Sequence, residues 1–499
     1  MSERQLPRPS NRVLVLFGAT GDLAARKLFP GFFHLYRERL MPVDFRIIGS
    51  GRHSPGSDDE FREHVRHALE EHGRMQLGEH WDEFARRLRF VVSSADDGSD
   101  LAQAVNDAES EVSAEGERLV YLSVPPGAMQ SMVGMLGDTG IGEHCSLVVE
   151  KPFGHDVASA RELNAALHEV LPEESIYRID HFLGKEAAQN ILVARFANGI
   201  LEPVWNRNHV AYVQIDVPEE LDIQGRAAFY EETGAFRDMV VTHLMQILGI
   251  VALEPPSHID ADSLHIERTK VFAGIRPLNP ERVVFGQYNG YRDEQGVAGD
   301  SRVETFAAAE VYVDTWRWSG VPFYLRTGKA MAQGRRTVTI GFSEAPLRMF
   351  PNHGPDKKAV RPSELVFELS DDPRVRIEVE AKVPGPEIEI GRVALTLDVD
   401  AAFDGADGLE ALRAPSARRH AARAAAVHPR RADRAAVGGV CPGDREPARA
   451  PAIREGLMGA ARGPGAARAD PLAPARRRWR LSARRAPRRS QDDDGPRAA

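Results

Sequence analysis

The first third of the chain alternates short apolar runs with longer amphipathic stretches. The run from Val13 to Phe17 is continuously apolar, which is typical of a parallel strand that is buried on both faces. Further strand-like runs lie at 45–51, 118–124 and 146–150, and stretches with a helical period, such as 58–72, lie between them. Strands separated by helices predict βαβ units and therefore a parallel sheet.

The pattern changes after about residue 205, where polar and apolar residues alternate. Alternation is typical of antiparallel strands that have one covered face. Strands with few helices between them are predicted at 210–217, 305–315, 322–328, 337–342, 364–369, 375–383 and 393–399. The chain is thus predicted to contain an α/β domain followed by an α+β domain with a large, mainly antiparallel sheet.

The last segment, 411–499, has a different composition. Of its 89 residues, 64 are Ala, Arg, Pro or Gly, and no hydrophobic period is sustained. Such a segment cannot bury enough apolar surface to offset the entropy cost of ordering it. It is therefore predicted to be a disordered tail.

Charge is distributed unevenly along the chain. The tail contains 21 Arg, no Lys and eight acidic residues, so it carries +13, residues 1–410 carry −22, and the whole chain carries −9. An acidic body argues against nucleic-acid binding. The polar N-terminus and the short first apolar run argue against a signal peptide or a membrane span.

Cysteine usage limits the redox and metal chemistry. Cys145 and Cys441 are the two cysteines of the sequence. Neither a disulfide framework nor a thiolate zinc cluster is expected from two such distant residues, and no metal site is predicted. A reducing cytoplasm is the predicted location.

A glycine-rich turn joins the first predicted strand to the following helix. Gly18 and Gly21 let the backbone turn tightly and approach a pyrophosphate, and the helix N-terminus attracts the anion. In this position the turn predicts a dinucleotide site at Gly18, Thr20, Gly21, Asp22 and Leu23. The structural alternative is an ordinary turn between a strand and a helix.

The end of the second predicted strand indicates which cofactor binds. An acidic residue there would bind a ribose hydroxyl and favour NAD, but the run reads Gly-Ser-Gly-Arg-His at 49–53. Arg52 can pair with a 2′-phosphate instead, so NADP is the predicted cofactor. The alternative is that Arg52 is a solvated loop charge.

Two proline-bearing elements end later strands of the predicted parallel sheet. Pro125 follows one strand, and Lys151, before Pro152, follows another. The carboxyl ends of strands in such sheets face the ligand crevice, so Lys151 is predicted to point a cation into the site. The alternative is that both elements are structural turns.

The run from Arg178 to Glu186 brings three kinds of ionisable side chain close together. If the run is helical, Lys185 lies four residues after His181 on the same face. The two would form a cationic surface suited to a phosphate, with the Asp180 carboxylate beside it. Alone, such a run is more often a solvated surface.

Five long motifs decide between these alternatives. In chain order they are GATGDLAARKL, EKPFG, RIDHFLGKE, YEETGAFRDMVVTHLMQ and GVPFYLRTGK. Over about residues 11–411 the chain resembles the glucose-6-phosphate dehydrogenase family. The resemblance implies a Rossmann domain followed by a domain with a large antiparallel sheet. It also implies oxidation of glucose 6-phosphate at C1 to the 6-phosphogluconolactone with NADP, the first oxidative step of the pentose phosphate pathway.

The resemblance also implies the domain divisions and the catalytic residues. Residues 1–180 are expected to form the Rossmann-like NADP-binding domain, 181–410 the substrate and dimerisation domain, and 411–499 the tail. His243 is expected to be the general base for the C1 hydroxyl, a task that suits imidazole. Asp180 is expected to orient His243.

The substrate contacts follow from the same motifs. His181 and Lys185 are expected to bind the substrate phosphate. Glu219 and Asp238 are expected to accept hydrogen bonds from sugar hydroxyls, and Lys329 to add a further substrate contact.

Two further lysines and one proline complete the expected site. Lys27 and Lys151 are expected to border both ligands. Pro152 is expected to be a hinge with a cis peptide bond. As single residues, most of these charged side chains would be surface charges, and the motifs are what distinguish them.

Three positions depart from the family pattern. Phe182 stands where many members have Tyr, so one hydroxyl to the phosphate is lost. Thr242 stands where Asn often precedes the base. Gly334 stands where a second cation is common, although Arg335 is adjacent. The first and third departures are expected to weaken phosphate binding without abolishing it.

The sequence near residue 411 leads to the hypothesis of a shifted reading frame. The family has a Tyr-Glu-Arg-Leu run there, whose Tyr contacts the substrate, whereas this chain reads Ala-Leu-Arg-Ala-Pro at 411–415. Inserting one C after GCG in GCG TAC GAG CGC CTN gives GCG CTA CGA GCG CCT, which encodes the observed residues. A GC-rich message out of frame yields mainly Arg, Ala, Pro and Gly. The alternative is a genuine basic tail.

Competing functions remain open from the sequence. One is a non-catalytic NADP-binding regulator on the same scaffold, although such a module has no need of a base at His243. Another is a relative that acts on a different sugar phosphate, and a third is an enzyme impaired by loss of the family C-terminus. The resemblance also implies a homodimer or homotetramer.

Overall fold

The structure is a computed structural model that describes most of the first 399 residues. The described ranges are 8–73, 77–114, 117–154, 156–180, 182–347, 349–350, 362–370 and 373–399, with the backbone of Ala452–Ile453. The predicted tail, 411–499, therefore lies outside the described residues apart from that pair. His181 also lies outside them.

Six strands form a parallel sheet in the first part of the chain. They are β1 (Arg12–Phe17), β2 (Phe45–Gly51), β3 (Leu88–Val92), β4 (Arg118–Leu122), β5 (Cys145–Glu150) and β6 (Ile176–Ile179). Their order is β3-β2-β1-β4-β5-β6, and every neighbouring pair is parallel. The predicted parallel sheet is confirmed. The sequence pattern missed β3 and β6, which are short and only partly buried.

Helices cover both faces of this sheet. They are α1 (Phe29–Arg37), preceded by a π-helical turn (Ala24–Leu28), α2 (Asp58–His72), α3 (His80–Ala85), α4 (Ser99–Val112), α5 (Pro126–Asp138) and α6 (Val157–Val170). In β1, Val13 and Val15 belong to the apolar cluster under α4 and α5, whereas Leu14 and Leu16 belong to the cluster under α1 and α2. Burial on both faces explains the continuous apolar run.

Eight strands form the second sheet. They are β7 (Val210–Pro218), β8 (Val283–Tyr288), β9 (Phe306–Val311), β10 (Phe323–Gly328), β11 (Thr337–Phe342), β12 (Glu364–Glu368), β13 (Arg374–Lys382) and β14 (Ile390–Asp398). Their order is β14-β13-β12-β11-β7-β10-β9-β8, and Ala452–Ile453 pairs in parallel with β8. Only β7 and β10 are parallel among the eight, so the prediction of a mainly antiparallel sheet is confirmed.

Helices pack against one face of the second sheet. They are α7 (Glu186–Phe196), a π-helix (Phe236–Leu244), α9 (Met245–Ala252) and α10 (Ala261–Ala273). The helix before the π-helix, α8 (Ala227–Ala235), packs in a separate apolar cluster with Tyr288 and Tyr291. The expectation of few helices is therefore wrong for 227–273. Every residue of α9 except Gln246 is buried, so this stretch has no polar face and shows no helical period in the sequence.

The helical run Ala227–Ala252 is long and apolar enough to cross a membrane by length and composition alone. However, 72% of its apolar window is buried inside the fold. A buried apolar helix of this kind is typical of a protein core, and α9 lies in the largest apolar cluster of the second domain.

One row of side chains on the helix-covered face of the second sheet runs from the core to the surface. Leu365, Ile377 and Leu395 are cross-strand neighbours on β12, β13 and β14. Leu365 is buried, Ile377 is half-buried against the core, and Leu395 is 63% exposed. Val393 and Leu397, on the same face of β14, are 44% and 54% exposed. The core face of this sheet therefore extends beyond the described helices that cover it.

The opposite face of the second sheet contains a buried ion pair. The Arg326 guanidinium on β10 donates to Asp216 Oδ1 on β7 at 2.9 Å, and Gln214 donates to Asp216 Oδ2 at 2.5 Å. Both charged residues are only 6% exposed. Burial raises the pKa of the Asp216 carboxyl, and the Arg326 charge opposes that rise. The Arg326 guanidinium therefore opposes the protonation of Asp216 that burial favours.

We expect Arg326→Met to destabilise the protein in a pH-dependent manner. Loss of the guanidinium leaves the Asp216 charge uncompensated, which costs about 3–5 kcal/mol of unfolding free energy near neutral pH. Because burial raises the pKa of Asp216 in the folded protein, the carboxyl is protonated at lower pH and the cost disappears there. Urea unfolding at about pH 8 and about pH 5 measures this difference.

The double variant Asp216→Leu/Arg326→Met is the control for this prediction. It removes both charges and leaves no buried carboxylate, so it should be more stable than the single variant near neutral pH. An unfolding free energy of R326M that equals that of the unsubstituted protein at both pH values would contradict the prediction.

Candidate active site

The carboxyl ends of the parallel strands lie along one edge of the first sheet. In the spatial order of the strands, β2 leads to Arg52, β1 to Gly18, β4 to Pro125, β5 to Lys151 and β6 to Asp180. Neighbouring strands lie about 4.8 Å apart, so this row spans about 19 Å. The row is long enough for an extended dinucleotide, with the predicted 2′-phosphate end at Arg52 and the predicted catalytic end at Asp180.

The glycine-rich turn has the geometry that a dinucleotide needs. Gly18 has a φ of +68°, and a Cβ there would lie 2.1 Å from the Ser123 carbonyl oxygen at the end of β4. The Gly21 N–H donates to the Gly18 carbonyl at 2.9 Å, which closes the turn. Only glycine fits at position 18, where β1, β4 and the helix start approach each other closely. The turn therefore fits a pyrophosphate.

The other predicted cofactor residues lie around this turn. Thr20 and Asp22 are exposed at the sheet edge, Leu23 is half-buried, and Lys27 is exposed on the π-helical turn. Asp22 forms an ion pair with Arg26 at 2.5 Å. The turn thus presents an exposed, polar surface at the carboxyl edge.

Two loops flank the turn on its neighbouring strands. Arg52 is exposed directly after β2, and the run 49–53 at the end of that strand contains no acidic residue. Pro125 is exposed and precedes α5, which begins at Pro126. Both residues lie where a bound dinucleotide would extend in the two directions from the turn.

A hydrogen-bonded histidine and carboxylate lie at the other end of the row. His243 Nδ1 and Asp180 Oδ2 are 2.8 Å apart, and His243 is fully buried. Asp180 Oδ1 accepts the Phe182 backbone N–H at 2.8 Å. The Phe182 ring packs on the imidazole with ring centroids 4.7 Å apart and an interplanar angle of 38°. The imidazole is thus held by a carboxylate at one nitrogen and by a ring on one face.

This arrangement determines which nitrogen of His243 is able to accept a proton. A carboxylate accepts hydrogen bonds only, so Nδ1 of the neutral imidazole carries the proton that it donates to Asp180. The lone pair then resides on Nε2, which is the atom able to take a proton from a substrate. When Nε2 takes up that proton, the Asp180 carboxylate stabilises the imidazolium.

A lysine and an aspartate from the two domains form an ion pair beside this histidine. The Lys151 ammonium, after β5, donates to Asp238 Oδ1 at 2.7 Å. Asp238 lies on the π-helix, five residues before His243. The Lys151–Pro152 peptide bond is cis, as the sequence predicted. The structure thus places Asp238 and Lys151 together at the Asp180 end of the edge.

A second ion pair lies on the sheet of the second domain. The Lys329 ammonium, after β10, contacts the Glu219 carboxylate, after β7, and Arg336 lies 3.5 Å from the same carboxylate. Lys329 also lies 5.8 Å from the Tyr230 ring centroid. Burial, together with the charges of Asp238 and Glu219, raises the pKa of the Tyr230 hydroxyl. Glu219, Asp238 and Lys329 therefore all lie near one buried tyrosine, so they are close enough together to belong to one site.

Lys185 lies at the N-terminus of α7, where it lines a cavity of about 210 Å³. Arg335 and Arg336, from the loop before β11, line the same cavity with Glu368, and Arg335 forms an ion pair with Glu368 at 2.5 Å. The Lys185 ammonium lies 5.5 Å from the Phe182 ring centroid, which connects this cavity to His243. The cavity is therefore cationic and lies near His243.

The run 178–186 is not one helix, so the helical spacing considered for Lys185 does not apply. Residues 182–184 form a turn, and α7 begins at Glu186. Lys185 therefore owes its position to the helix start and not to helical spacing from residue 181.

Sequence reasoning missed three contributors to this site. Tyr230 occurs within a quoted motif, but its burial among the charged residues gave no signal in the sequence. Arg336 is separated from Lys185 by about 150 positions, so only the fold brings them to one cavity. Phe182 was identified as a lost hydroxyl, whereas its contact with His243 required the structure.

Two family models match the chain and together cover most of it. The model described as the NAD binding domain of glucose-6-phosphate dehydrogenase matches residues 15–190. The model described as the C-terminal domain of glucose-6-phosphate dehydrogenase matches residues 192–413. Both halves of the chain, and therefore both sides of the site, match one family.

Individual relatives agree with the family models. Glucose-6-phosphate 1-dehydrogenase 2 of Mycobacterium tuberculosis is 37% identical over 423 residues, which are 80% of this chain and 82% of the relative. Glucose-6-phosphate 1-dehydrogenase of Mycolicibacterium smegmatis is 39% identical over 410 residues, which are 78% of this chain and 81% of the relative.

Solved structures share the fold. The crystal structure of glucose-6-phosphate 1-dehydrogenase from Mycobacterium avium has a TM-score of 0.78 and 32% identity, covering 90% of this chain and 95% of that chain. A structure of glucose-6-phosphate dehydrogenase in complex with its substrate glucose-6-phosphate has a TM-score of 0.77 and 30% identity, covering 87% and 90%. This chain belongs to the glucose-6-phosphate dehydrogenase family.

Proposed function

We propose that this chain oxidises glucose 6-phosphate at C1 to 6-phosphoglucono-1,5-lactone, with His243 as the general base and Asp180 as its partner. The observation that carries the proposal is the buried hydrogen bond of 2.8 Å between His243 Nδ1 and Asp180 Oδ2. It lies at the carboxyl edge of a dinucleotide-binding sheet, where a base can act on a substrate next to a cofactor. NADP, when bound, supplies the hydride acceptor.

The base and its partner control one proton. Nε2 of His243 removes the proton of the C1 hydroxyl, and C1 becomes a carbonyl carbon as its hydride leaves. The Asp180 carboxylate stabilises the imidazolium that results and keeps the ring in its orientation. Phe182 covers one face of the ring, which limits its rotation. The proton then returns to solvent when the lactone leaves.

Charged residues around the base are proposed to bind the substrate. The cavity lined by Lys185, Arg335 and Arg336 supplies cations for the phosphate group, together with His181, which is assigned by family resemblance. Arg335 can supply the cation that Gly334 lacks. These guanidinium groups are suited to bidentate contacts with phosphate oxygens.

The sugar is proposed to contact the two ion pairs beside the base. Glu219 and Asp238 can accept hydrogen bonds from its hydroxyls, and Lys329 and Lys151 can donate to them. Because each of these side chains already has an oppositely charged partner, it is held in place before the substrate arrives.

The cofactor is proposed to lie along the carboxyl edge of the first sheet. Gly18, Thr20, Gly21, Asp22 and Leu23 would border its pyrophosphate. Further contacts are proposed from Lys27, Pro125 and Lys151, and Arg52 would pair with the 2′-phosphate. The pairing of Arg52 with the 2′-phosphate is the reason why NADP is proposed as the cofactor rather than NAD.

The domain divisions, the assembly and the location are also proposed. The division at 180 is supported by the end of β6 at Ile179, whereas β14 ends at Asp398 and the division at 410 lies outside the described residues. The large sheet of the second domain is the proposed interface of a homodimer or homotetramer. A cytoplasmic location is proposed because Cys145 is a buried free cysteine in a chain with two cysteines.

We also propose that the segment from residue 411 is encoded out of frame. The family match ends at residue 413, close to the proposed insertion. Val393, Leu395 and Leu397 extend the core face of the second sheet but are exposed, so an apolar element should cover them. The sequence 411–499, with 64 Ala, Arg, Pro or Gly residues, has too few large apolar side chains to do so.

We expect His243→Asn to lower kcat by roughly 10²–10⁴-fold, because the C1 proton loses its acceptor. Asp180→Asn should also lower kcat, because the imidazole loses the carboxylate that orients it. The KM for NADP should change little in either variant. The measurement is NADPH formation from glucose 6-phosphate and NADP.

The matched control is His168→Asn, since His168 also pairs with a carboxylate, Glu173, at 2.6 Å but lies on α6. It should keep the kcat of the unsubstituted protein. Absence of NADPH formation by a frame-corrected protein would favour the non-catalytic regulator. Turnover of another sugar phosphate alone would favour the alternative of a relative that acts on a different sugar phosphate.

Arg52→Ala should raise the KM for NADP by about ten- to a hundredfold, because a hydrogen bond to a charged group contributes about 1.5–3 kcal/mol. The KM for NAD, which has no 2′-phosphate, should stay nearly the same. Arg66→Ala is the control, because Arg66 is an exposed arginine of α2 that pairs with Glu70 at 3.2 Å. Equal changes in the KM for both cofactors would show that Arg52 does not read the 2′-phosphate.

Removal of one base near codon 411 should raise the melting temperature and reduce the binding of a hydrophobic dye. The restored C-terminus would cover the exposed row on β14, and burial of apolar surface contributes about 25 cal/mol per Å². Sequencing the gene across codons 405–415 tests the premise directly. An in-frame read without an extra base, or equal melting temperatures of the two proteins, would count against the proposal.

A further inference from the structure

The π-helix Phe236–Leu244 brings Asp238 and His243 to the same side of one helix. These residues are five positions apart, and an α-helix would separate them by about 140° around its axis. Hydrogen bonds between residues five apart, which define the π-helix, widen the winding and bring such residues closer together around the axis. This winding therefore lets Asp238 face Lys151 while His243 faces Asp180.

The start of the π-helix is held by one residue from outside it. The Phe236 N–H donates to the Glu304 carboxylate at 3.0 Å, and the Ala235 N–H donates to the Glu304 carbonyl at 2.9 Å. The first N–H groups of a helix have no partner within the helix, so Glu304 satisfies two of them. A carboxylate at this end also interacts favourably with the helix dipole.

The position of Glu304 depends on a glycine beside it. Gly234 has a φ of +66°, and a Cβ there would lie 2.4 Å from the Glu304 carboxylate. The backbone between α8 and the π-helix therefore leaves just enough room for this side chain. Burial raises the pKa of the Glu304 carboxyl, and the Phe236 N–H opposes that rise.

The residue after Glu304 connects the same loop to the substrate-binding strand. The Thr305 carbonyl accepts a hydrogen bond from the Lys329 N–H at 2.9 Å, and the Thr305 hydroxyl accepts one from the Tyr288 N–H at 2.9 Å. Thr305 is fully buried. The dipeptide 304–305 therefore joins the helix that carries His243 to the strand end that carries Lys329.

We propose that Glu304 is a positioning residue, which anchors the first turn of the π-helix and thereby sets His243 and Asp238 for the reaction. Glu304 does not touch the reacting atoms. It acts through the backbone of Ala235 and Phe236, and loss of its carboxylate would let the helix start shift and the winding relax. A relaxed winding would turn Asp238 and His243 away from each other. The proposal concerns the catalytic step and rests on the proposed function.

The test compares Glu304→Ala and Glu304→Gln with a control on a neighbouring glutamate. Glu231→Ala removes a carboxylate that accepts hydrogen bonds from the Tyr291 and Ser301 hydroxyls at 2.7 Å and 2.6 Å, with no bond to the π-helix start. We expect E304A to lower kcat by about ten- to a hundredfold, as misplacement of catalytic groups does, with the KM for NADP unchanged. E304Q should recover most of the kcat, because its amide oxygen can accept the Phe236 N–H.

A second measurement does not depend on turnover. Amide hydrogen exchange of residues 236–244 should be faster in E304A than in the unsubstituted protein, and unchanged in E231A. A kcat loss in E304A no larger than in E231A, or unchanged exchange over 236–244, would overturn the proposal. If the unsubstituted protein fails to oxidise glucose 6-phosphate, the proposed function is wrong, whereas the exchange data still decide whether Glu304 holds the helix.

Discussion

The hydrogen bond between Asp180 and His243 is the interaction on which the functional geometry depends. It joins the end of β6 to the π-helix of the second domain, between residues 63 positions apart in the chain. Both oxygens of Asp180 are used, since the Phe182 N–H occupies the other one. A carboxylate with two good donors can stay ionised in a mostly buried place, and from there it controls the tautomer of the imidazole. The rest of the cleft is arranged around that nitrogen.

Paired charges organise the surroundings of His243. Lys151 with Asp238 joins the two domains, and Glu219 with Lys329 joins two strands of the second sheet. Ion pairs of this kind contribute little to stability when exposed, but inside a cleft they hold polar groups in place. The cis peptide bond after Lys151 and the π-helical winding before His243 are local irregularities of the chain. Both occur in the segments that supply these charges.

Much of the fold followed from local patterns, and the failures have physical causes. The strand from Val13 to Phe17 was predictable because a doubly buried strand is continuously apolar, and the helix 58–72 because an amphipathic helix has a clear period. The helices over 227–273 were not, because α9 is buried nearly all round and lacks a polar face. The helical spacing expected for Lys185 was wrong, since a turn precedes α7. The residue types of the run 178–186 gave no signal for this turn in the backbone.

The sequence by itself determined the α/β and α+β halves, the glycine turn and the family, because these depend on residue type, period and spacing along the chain. It also contained the break in composition at residue 411. Only the tertiary structure decided that Phe182 packs on His243, that Arg336 reaches the Lys185 cavity and that Glu304 holds the π-helix. These contacts join residues separated by tens to more than a hundred positions. Their formation depends on how the sheets and helices pack, and no local pattern in the chain records that packing.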